Sequence, residues 1–303
     1  MAASPDQLIA FATVFEHGSI TAAARVLNVS QPAISGRLRT LQTVTGSVLY
    51  TRPGSTFELT AAGEALLPHA RSLARSMARA ERALESPTAD ELRASIAFSE
   101  AAVPFVVPRL ANAALADPSI ELHVVPCDAS SAVDAVIAGD VDLAVAVASP
   151  GPPGDDLERR PLLVDDIVLV QKHDPDREPE SVAPLWALAN LTILWQAPGS
   201  GVRATAIQAL EEAGVWPKVT VELGSTLGVL AAVAAGYGAG LLPRRYVQPW
   251  IAMGTVTAAT LDATDLYARF ELISPPSSHL TRGARALYTA LQRPIEQTAE
   301  AGL

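Results

Sequence analysis

Cysteine occurs once in the 303 residues, at Cys127. No internal disulfide can form, which excludes a disulfide-stapled secreted scaffold and any sensor that needs two thiols in one subunit. Lysine is nearly as scarce, with only Lys172 and Lys218, and neither lies in a phosphate-binding loop. Charged residues make up 18% of the chain, below the roughly 25% usual for globular proteins. A hydrophobic content of 49% argues against disorder. The two long uncharged stretches are poor membrane spans: one, Ser181 to Val202, contains Pro184, Asn190 and Pro198, and the other, Leu223 to Pro243, is interrupted by five glycines. The start, MAASPDQLIAFATVFEHGS, has no basic leader and places Asp6 and Glu16 in its apolar stretch. No secretion signal and no membrane partner are therefore expected, and a cytoplasmic location is.

The net charge of −10 is unevenly placed. Residues 1 to 86 hold 8 arginines, no lysine and 6 acids, a balance of +2, and the remainder carries −12. A small module able to approach phosphate is thus joined to a larger acidic one. Ser4, Pro5 and Gln7 form a helix start, because serine caps, proline suits the first helical position and glutamine completes a capping box. Leu8, Phe11, Ala12 and Phe15 follow the spacing of a buried face, and Gly18 ends the helix. Ser19 caps a second short helix through Leu27, and Asn28 and Val29 turn the chain. Ser30 then caps a third helix, with Pro32 in its first turn and Gly46 as its stop. In that helix Ile34, Leu38 and Leu41 share one stripe, leaving Pro32, Ser35, Gly36, Arg39 and Thr40 opposite. Leu49 to Arg52 and Phe57 to Leu59 alternate like two strands about the turn Pro53, Gly54, Ser55. This order predicts a winged helix-turn-helix whose third helix enters the major groove; a three-helix fragment without DNA contact is the alternative.

Thr60 caps a long helix from Ala61 to about Glu85 in which Leu66, Ala70, Leu73, Met77, Ala80 and Leu84 form a heptad seam, predicting pairing with a second copy. Such a helix is about 37 Å long, close to the ~34 Å of one DNA turn. Pro68 should bend it. Arg71, Arg75, Arg79 and Arg82 line another face, as a solvated stripe or as DNA contacts. Ser86 to Ala89 reads as a hinge.

From Leu92 strand and helix alternate. Strands are expected at Leu92 to Phe98, Ile120 to Val125 and Val141 to Val147, with helices at Ala101 to Leu115 and Ser130 to Ala138. After the loop SPGPPGDD, strands follow at Asp166 to Gln171, Leu191 to Trp195, Lys218 to Leu223 and Gly240 to Leu242, with helices at Val202 to Ala213 and Leu227 to Ala235. Leu266 to Ile273 extends before a last amphipathic helix with Ala284, Leu287, Tyr288 and Leu291. Alternation of this kind predicts a parallel sheet with helices on both faces. GYGAG, at Gly236 to Gly240, follows a helix and leads into a strand, the reverse of a dinucleotide fingerprint, so a loop needing positive φ is expected there. The acid pairs Asp155 with Asp156 and Asp165 with Asp166 read as solvated. Cys127 reads as a small buried residue rather than a redox centre. The five histidines have no metal-ligand spacing and no nucleophile elbow occurs, so no cofactor or metal is expected and an enzyme on this scaffold has no catalytic cluster.

The segment SITAAARVLNVSQPAISGRLRTLQTVTGSVLYTRPGSTFELTAAGEALLPHA closely resembles the LysR-type transcriptional regulators, in AAA..L..SQPA.S, in L..L...TG with Leu49 and Arg52, and in LTAAG. GDVDLAVAV and VAAGYGAGLLP are similar to the same family's effector domain. The resemblance implies an α+β multidomain chain: a winged helix-turn-helix over 1–60, a linker and dimerisation helix over 61–86, and a two-lobed, periplasmic-binding-protein-like α/β effector domain over 87–303. Lobe one would cover about 91–162 and 267–303, and lobe two about 163–266.

Carried over, the resemblance puts Gln31, Pro32 and Ser35 beside Ser30 at base edges, and Arg37, Arg39 and Arg52 near phosphates or the minor groove. Gly36 and Ser55 depart from the family pattern, where Arg or Gln and a wing Arg are common. Between the lobes the resemblance points to Ser99, Glu100, Asp128, Ser130, Gln196, Ser200, Arg203 and Thr226 as effector contacts. Ser99, Ser130 and Thr226 also read as ordinary helix caps, Asp128 as a turn residue and Arg203 as one half of a surface ion pair. Two acids against one base favour a neutral, zwitterionic or modestly polar metabolite over a dicarboxylate, while helix N-termini after Ser99, Asp128 and Ser200 keep a monocarboxylate compatible. The implied partners are double-stranded DNA carrying an interrupted inverted repeat at a promoter, a small-molecule metabolite effector, RNA polymerase, and further copies in a homodimer or homotetramer. A ligand-binding receptor whose N-terminal helices only dimerise is the competing class.

Overall fold

The computed structural model describes residues 3–53, 57–85, 92–148, 157–176, 178–262 and 266–293. The predicted hinge, the loop SPGPPGDD with Asp155 and Asp156, and most of the wing turn lie outside them. The chain forms two compact units, Met1–Leu92 with Asp134–Val141, and Arg93–Val133 with Asp142–Leu303.

In the first unit the caps act as their residue types dictate. Helix α1 (Pro5–His17) carries the full capping box: the Ser4 hydroxyl accepts the Gln7 N–H, the Gln7 side chain accepts the Ser4 N–H, and Gly18 closes the helix in the left-handed region. A cap of this kind stabilises a helix by about 1 kcal/mol. Ser19 caps α2 (Ile20–Val26) and Ser30 caps α3 (Gln31–Thr45). Between them Asn28 turns the chain at φ 50°, a conformation asparagine tolerates better than most residues. Phe11, Ala12, Val14, Ala23, Ile34, Leu38 and Leu41 meet in one buried cluster.

Strands β1 (Tyr50–Thr51) and β2 (Glu58–Leu59) pair antiparallel as the wing. Helix α4 (Ala61–Glu85) follows and runs unbroken through Pro68. The LTAAG string has a mechanical reason. Thr60 donates its hydroxyl to Val48 O at 2.6 Å and its N–H to Leu49 O at 3.1 Å, while its Oγ1 accepts the Gly63 N–H at 3.2 Å. A Cβ at position 63 would lie 1.9 Å from Leu49 O, so only glycine lets the helix start approach the wing this closely.

The second unit is built on strands β3 (Arg93–Phe98), β4 (Glu121–Pro126), β5 (Leu143–Val147), β6 (Glu158–Lys172), β7 (Val182–Ala183), β8 (Thr192–Gln196), β9 (Val219–Gly224), β10 (Ala239–Pro243), β11 (Val256–Leu261) and β12 (Tyr267–Ser274). Its helices are α5 (Val103–Ala116), α7 (Gly201–Ala213), α8 (Thr226–Ala235), α9 (Arg244–Ala252) and α10 (Arg282–Gln292), with α6 (Ala129–Ile137) passing from the second unit into the first at Asp134. The strand order β4-β3-β5-β12-β6-β10-β8-β9, with β11 on β6, is mixed and not the wholly parallel sheet expected from the alternation. β3 with β4 and β5, and β8 with β9 and β10, are parallel, as strand-helix-strand units require. β12 and β6 run antiparallel to their neighbours because they carry the chain between the two sets.

The 15-residue β6 pairs with β12 through Asp166 and with β10 from Ile167, so the lobe boundary placed at 162/163 falls inside one continuous strand. β5 and β10 are buried at every position, the mark of central strands covered on both faces. Phe98, Phe105, Val145, Phe270, Leu287 and Tyr288 belong to the main core.

The expectation of a positive φ in GYGAG holds at Gly236, and that of a solvated Asp165 fails. Asp165 is 8% exposed, not solvated: its carboxylate accepts the Arg245 N–H at 3.0 Å and caps α9, while Asp166 pairs with Arg244 at 3.4 Å. In GYGAG only Gly236 has positive φ, at +88°. A Cβ at Gly238 or Gly240 would collide with Thr192 O or Val229, so those two serve close packing. No helix among the described residues is long and apolar enough to cross a membrane.

Candidate functional site

Helix α3 buries Ile34, Leu38 and Leu41 to 1% exposure or less and leaves Ser30, Gln31, Pro32, Arg39 and Thr40 exposed. Ser35 and Gly36 are half-buried on the same side. The Ser30 hydroxyl accepts the Ala33 N–H at 3.4 Å, so it caps the helix at the face it helps to form. Arg37 is held differently from Arg39 and Arg52: its Nη2 lies 3.1 Å from Asp6 of α1. Arg52 lies 5.0 Å from the Phe57 ring centroid, a cation–π contact that holds it on the wing.

An aromatic cluster of Phe11, Phe15, Tyr50 and Phe57 carries the wing, with Phe15 and Phe57 6.1 Å apart edge to face. Burial pushes the Tyr50 phenol up, against the pull of the Arg39 and Arg52 charges, which places both arginines around one tyrosine. Tyr50 and the Asp6 partner of Arg37 were not read as functional from the sequence; Phe15 and Tyr50 are separated by too much chain for any local pattern to pair them.

The heptad seam divides. Ala70 is fully buried and Leu66 partly buried against the core of α1 to α3, so both belong to the fold of this unit. Leu73 is half-buried, Ala80 is exposed, and Met77 and Leu84 are 45% and 86% exposed. Arg71 and Arg75 are half-buried; the side chains of Arg79 and Arg82 lie outside the described residues.

In the second unit the predicted cleft residues gather where strand ends face helix starts. Glu100, after β3, reaches across to α8 and accepts the Thr226 N–H at 2.7 Å, the Leu227 N–H at 3.0 Å and the Tyr246 hydroxyl of α9 at 3.1 Å. Burial and the facing Glu100 charge push the Tyr246 phenol well above its usual range. Tyr246 was missed because nothing local distinguishes it from a surface tyrosine.

Asp128 accepts the Ser131 N–H at 2.9 Å and the Ser130 hydroxyl at 2.8 Å. Burial works against its charge, but these hydrogen bonds outweigh it and hold the carboxyl below the ordinary range. Gly199, just before α7, lies directly on Asp128, where a Cβ would come within 2.3 Å of its carboxylate, and Gly199 O accepts the Ala129 N–H at 3.2 Å.

Ser200 caps α7 through the Arg203 N–H at 3.3 Å. Arg203 donates to Gln196 O at 2.6 Å and to Glu222 at 2.8 Å, and stands over Trp195. Gln196 is 2% exposed; its Nε2 donates to Leu241 O at 3.2 Å while, among the described residues, its Oε1 has no partner and the buried Ser99 Oγ has none either. Cys127 beside Asp128 is partly buried, and burial together with the Asp128 charge pushes its thiol up to about 11.

Residues 5–64 match the family described as bacterial regulatory helix-turn-helix protein, lysR family, and residues 89–294 match the LysR substrate binding domain. A probable hydrogen peroxide-inducible genes activator of Streptomyces viridosporus is 32% identical, covering 80% of this chain and 78% of that protein. The transcriptional regulator CbbR of Rhodospirillum rubrum is 25% identical over 94% of this chain and 95% of its own. Among solved structures, full-length CbnR complexed with its target DNA shares the fold with a TM-score of 0.59 at 22% identity, covering 96% of this chain and 99% of that one. With both modules matched in order, the chain belongs to the LysR family and is a DNA-binding transcriptional regulator with an effector-binding domain.

Proposed function

We propose that the chain binds an interrupted inverted repeat at a promoter as a homodimer or homotetramer and is switched by a small molecule held between its lobes. In this reading 1–60 reads DNA, 61–86 links and dimerises, and 87–303 takes the effector, with the lobes meeting along β6 and β12. The carrying observation is the face of α3: Gln31, Pro32 and Arg39 stand exposed beside the wing Arg52, and neither Arg39 nor Arg52 has an acidic partner among the described residues. Such a face offers side chains to base edges and positive charge to phosphate.

The exposed Met77 and Leu84 of α4 support pairing through the C-terminal half of the seam. Coupling requires that the effector bind two arrangements with unequal affinity, since equal affinity shifts nothing. Fluorescence anisotropy with the DNA upstream of the protein's own coding sequence tests the reading. Tighter binding than to a shuffled duplex is expected, and equal affinity for both overturns it.

A further inference from the structure

We infer, resting on the effector reading above, that Glu100 fills from within the chain the place where this cleft would receive a ligand carboxylate, and that the ligand is a cationic, hydrogen-bond-donating amine. Among the described residues, the backbone donors at the start of α8 are all accounted for. Thr226 and Leu227 give their N–H groups to Glu100, Gly228 gives its own to Ser225 Oγ at 2.9 Å, and Val229 gives its own to Ser225 O at 3.1 Å. The Tyr246 hydroxyl also goes to Glu100. A ligand carboxylate would find an anion already in place and no N–H to accept from.

The start of α6 is equally closed, with Asp128 on the Ser131 N–H and Gly199 O on the Ala129 N–H. Of the helix starts that the bare sequence leaves open to a monocarboxylate, the one after Asp128 is therefore closed, and the start of α8 is closed as well. Arg203, the cation among the predicted contacts, is engaged by Gln196 O and Glu222.

What remains unmatched is acceptor capacity. Gln196 is oriented by its Nε2 bond to Leu241 O, which leaves Oε1 buried at the end of β8 and without a donor among the described residues. The buried Ser99 hydroxyl, which can accept or donate, stands next to Glu100 in sequence and has no partner among the described residues. A buried acceptor without a donor is costly; a ligand that brings N–H groups relieves it, and positive charge suits the carboxylates of Glu100 and Asp128.

The test uses the full-length protein and three four-carbon probes, 1,4-diaminobutane, succinate and 1,4-butanediol, at matched ionic strength, read as the shift in melting temperature. The diamine is expected to raise the wild type by a few degrees and succinate to leave it unchanged, with the order reversed in Glu100→Ala. Succinate acting on Glu100→Ala alone, with no probe acting on the wild type, supports the carboxylate role of Glu100 and overturns the amine as the ligand class. Succinate stabilising the wild type as much as the variant, butanediol matching the diamine, or no response from either protein overturns it.

If Glu100→Ala does not fold, Glu100→Gln decides through amide exchange. Thr226 and Leu227 should exchange at least about tenfold faster while Gly228, held by Ser225, is unchanged; no acceleration overturns the inference. Promoter binding is measured on the same samples. Its absence sinks the regulator reading whatever the probes do, whereas promoter binding with the probe preference reversed sinks the ligand class alone.

Discussion

The Arg37 guanidinium sits 3.1 Å from the Asp6 carboxylate and ties the recognition helix to the first helix of its own unit. An exposed pair of this kind contributes about 0.2–1 kcal/mol. Arg39 and Arg52 have no such partner among the described residues, so the three arginines that look alike in the sequence should differ on DNA. Arg39→Ala and Arg52→Ala should each flatten the salt dependence of binding by about one phosphate contact, a change of roughly 0.9 in the log–log slope. Arg37→Ala should change that slope less and lower the melting temperature slightly. Gln31→Ala and Ser35→Ala should instead relax sequence preference, by about 1–3 kcal/mol between specific and random duplexes. Salt titrations of all five variants check this division; equal slopes for the arginines contradict it.

Gly63→Ala should unfold or loosen the wing junction, because the new methyl would lie 1.9 Å from the Leu49 carbonyl oxygen. Overpacking of this kind costs about 1–3 kcal/mol. Urea denaturation of the wild type and variant measures it, and an unchanged midpoint rejects the close-approach explanation of LTAAG.

Met77→Asp with Leu84→Asp should weaken self-association by at least about tenfold, or ~1.4 kcal/mol, with little effect on the folding of residues 1–60. Ala70→Asp should unfold the same unit, since Ala70 is fully buried against α1 to α3. Sedimentation and circular dichroism separate the two effects. A wild-type oligomer in the Met77/Leu84 variant shows that the seam is not the pairing surface.

Burial raises the Asp165 pKa above its ordinary value, against the opposing pull of the Arg245 N–H and charge. A carboxyl whose folded pKa is raised favours its protonated form. Ionised Asp165 therefore lowers stability, by an amount that develops as pH rises from the unfolded value of about 3.9 through the folded one. Asp165→Asn keeps an oxygen for the Arg245 N–H and lacks this penalty. The variant should melt higher than the wild type at pH 7, with the gap narrowing toward pH 4. A variant less stable at pH 7 rejects the assignment.

Cys127, with its thiol pushed up to about 11, stays protonated near neutral pH and should react slowly with thiol reagents in the native state. One relative is described as hydrogen peroxide-inducible. Even so, peroxide should leave promoter binding by this chain unchanged, as should Cys127→Ser. A peroxide-dependent shift abolished by Cys127→Ser contradicts this.

The first unit was legible because its signals are local. Ser4, Ser19, Ser30, Gly18 and Gly46 each act within a few residues of themselves, and the structure puts the helix ends at these positions. The alternating strands and helices of the second unit were legible for the same reason. Helix α9, which contains Pro249, and strand β11 were not foreseen; both are short and their pattern is mixed. Asp165 looked solvated beside Asp166 because only the fold brings the Arg245 N–H to it. Glu100 was placed in the cleft by family resemblance, but its bonds to Thr226, Leu227 and Tyr246 span more than a hundred residues and leave no local trace.

Hydroxyl-radical footprinting of the promoter region tests the central claim most directly. Two protected blocks on one face of the duplex, separated by one helical turn or a small multiple of it, are predicted for the wild type, with both blocks weakened in Arg52→Ala. Absence of protection at moderate salt, with and without the amine probe, would contradict the account.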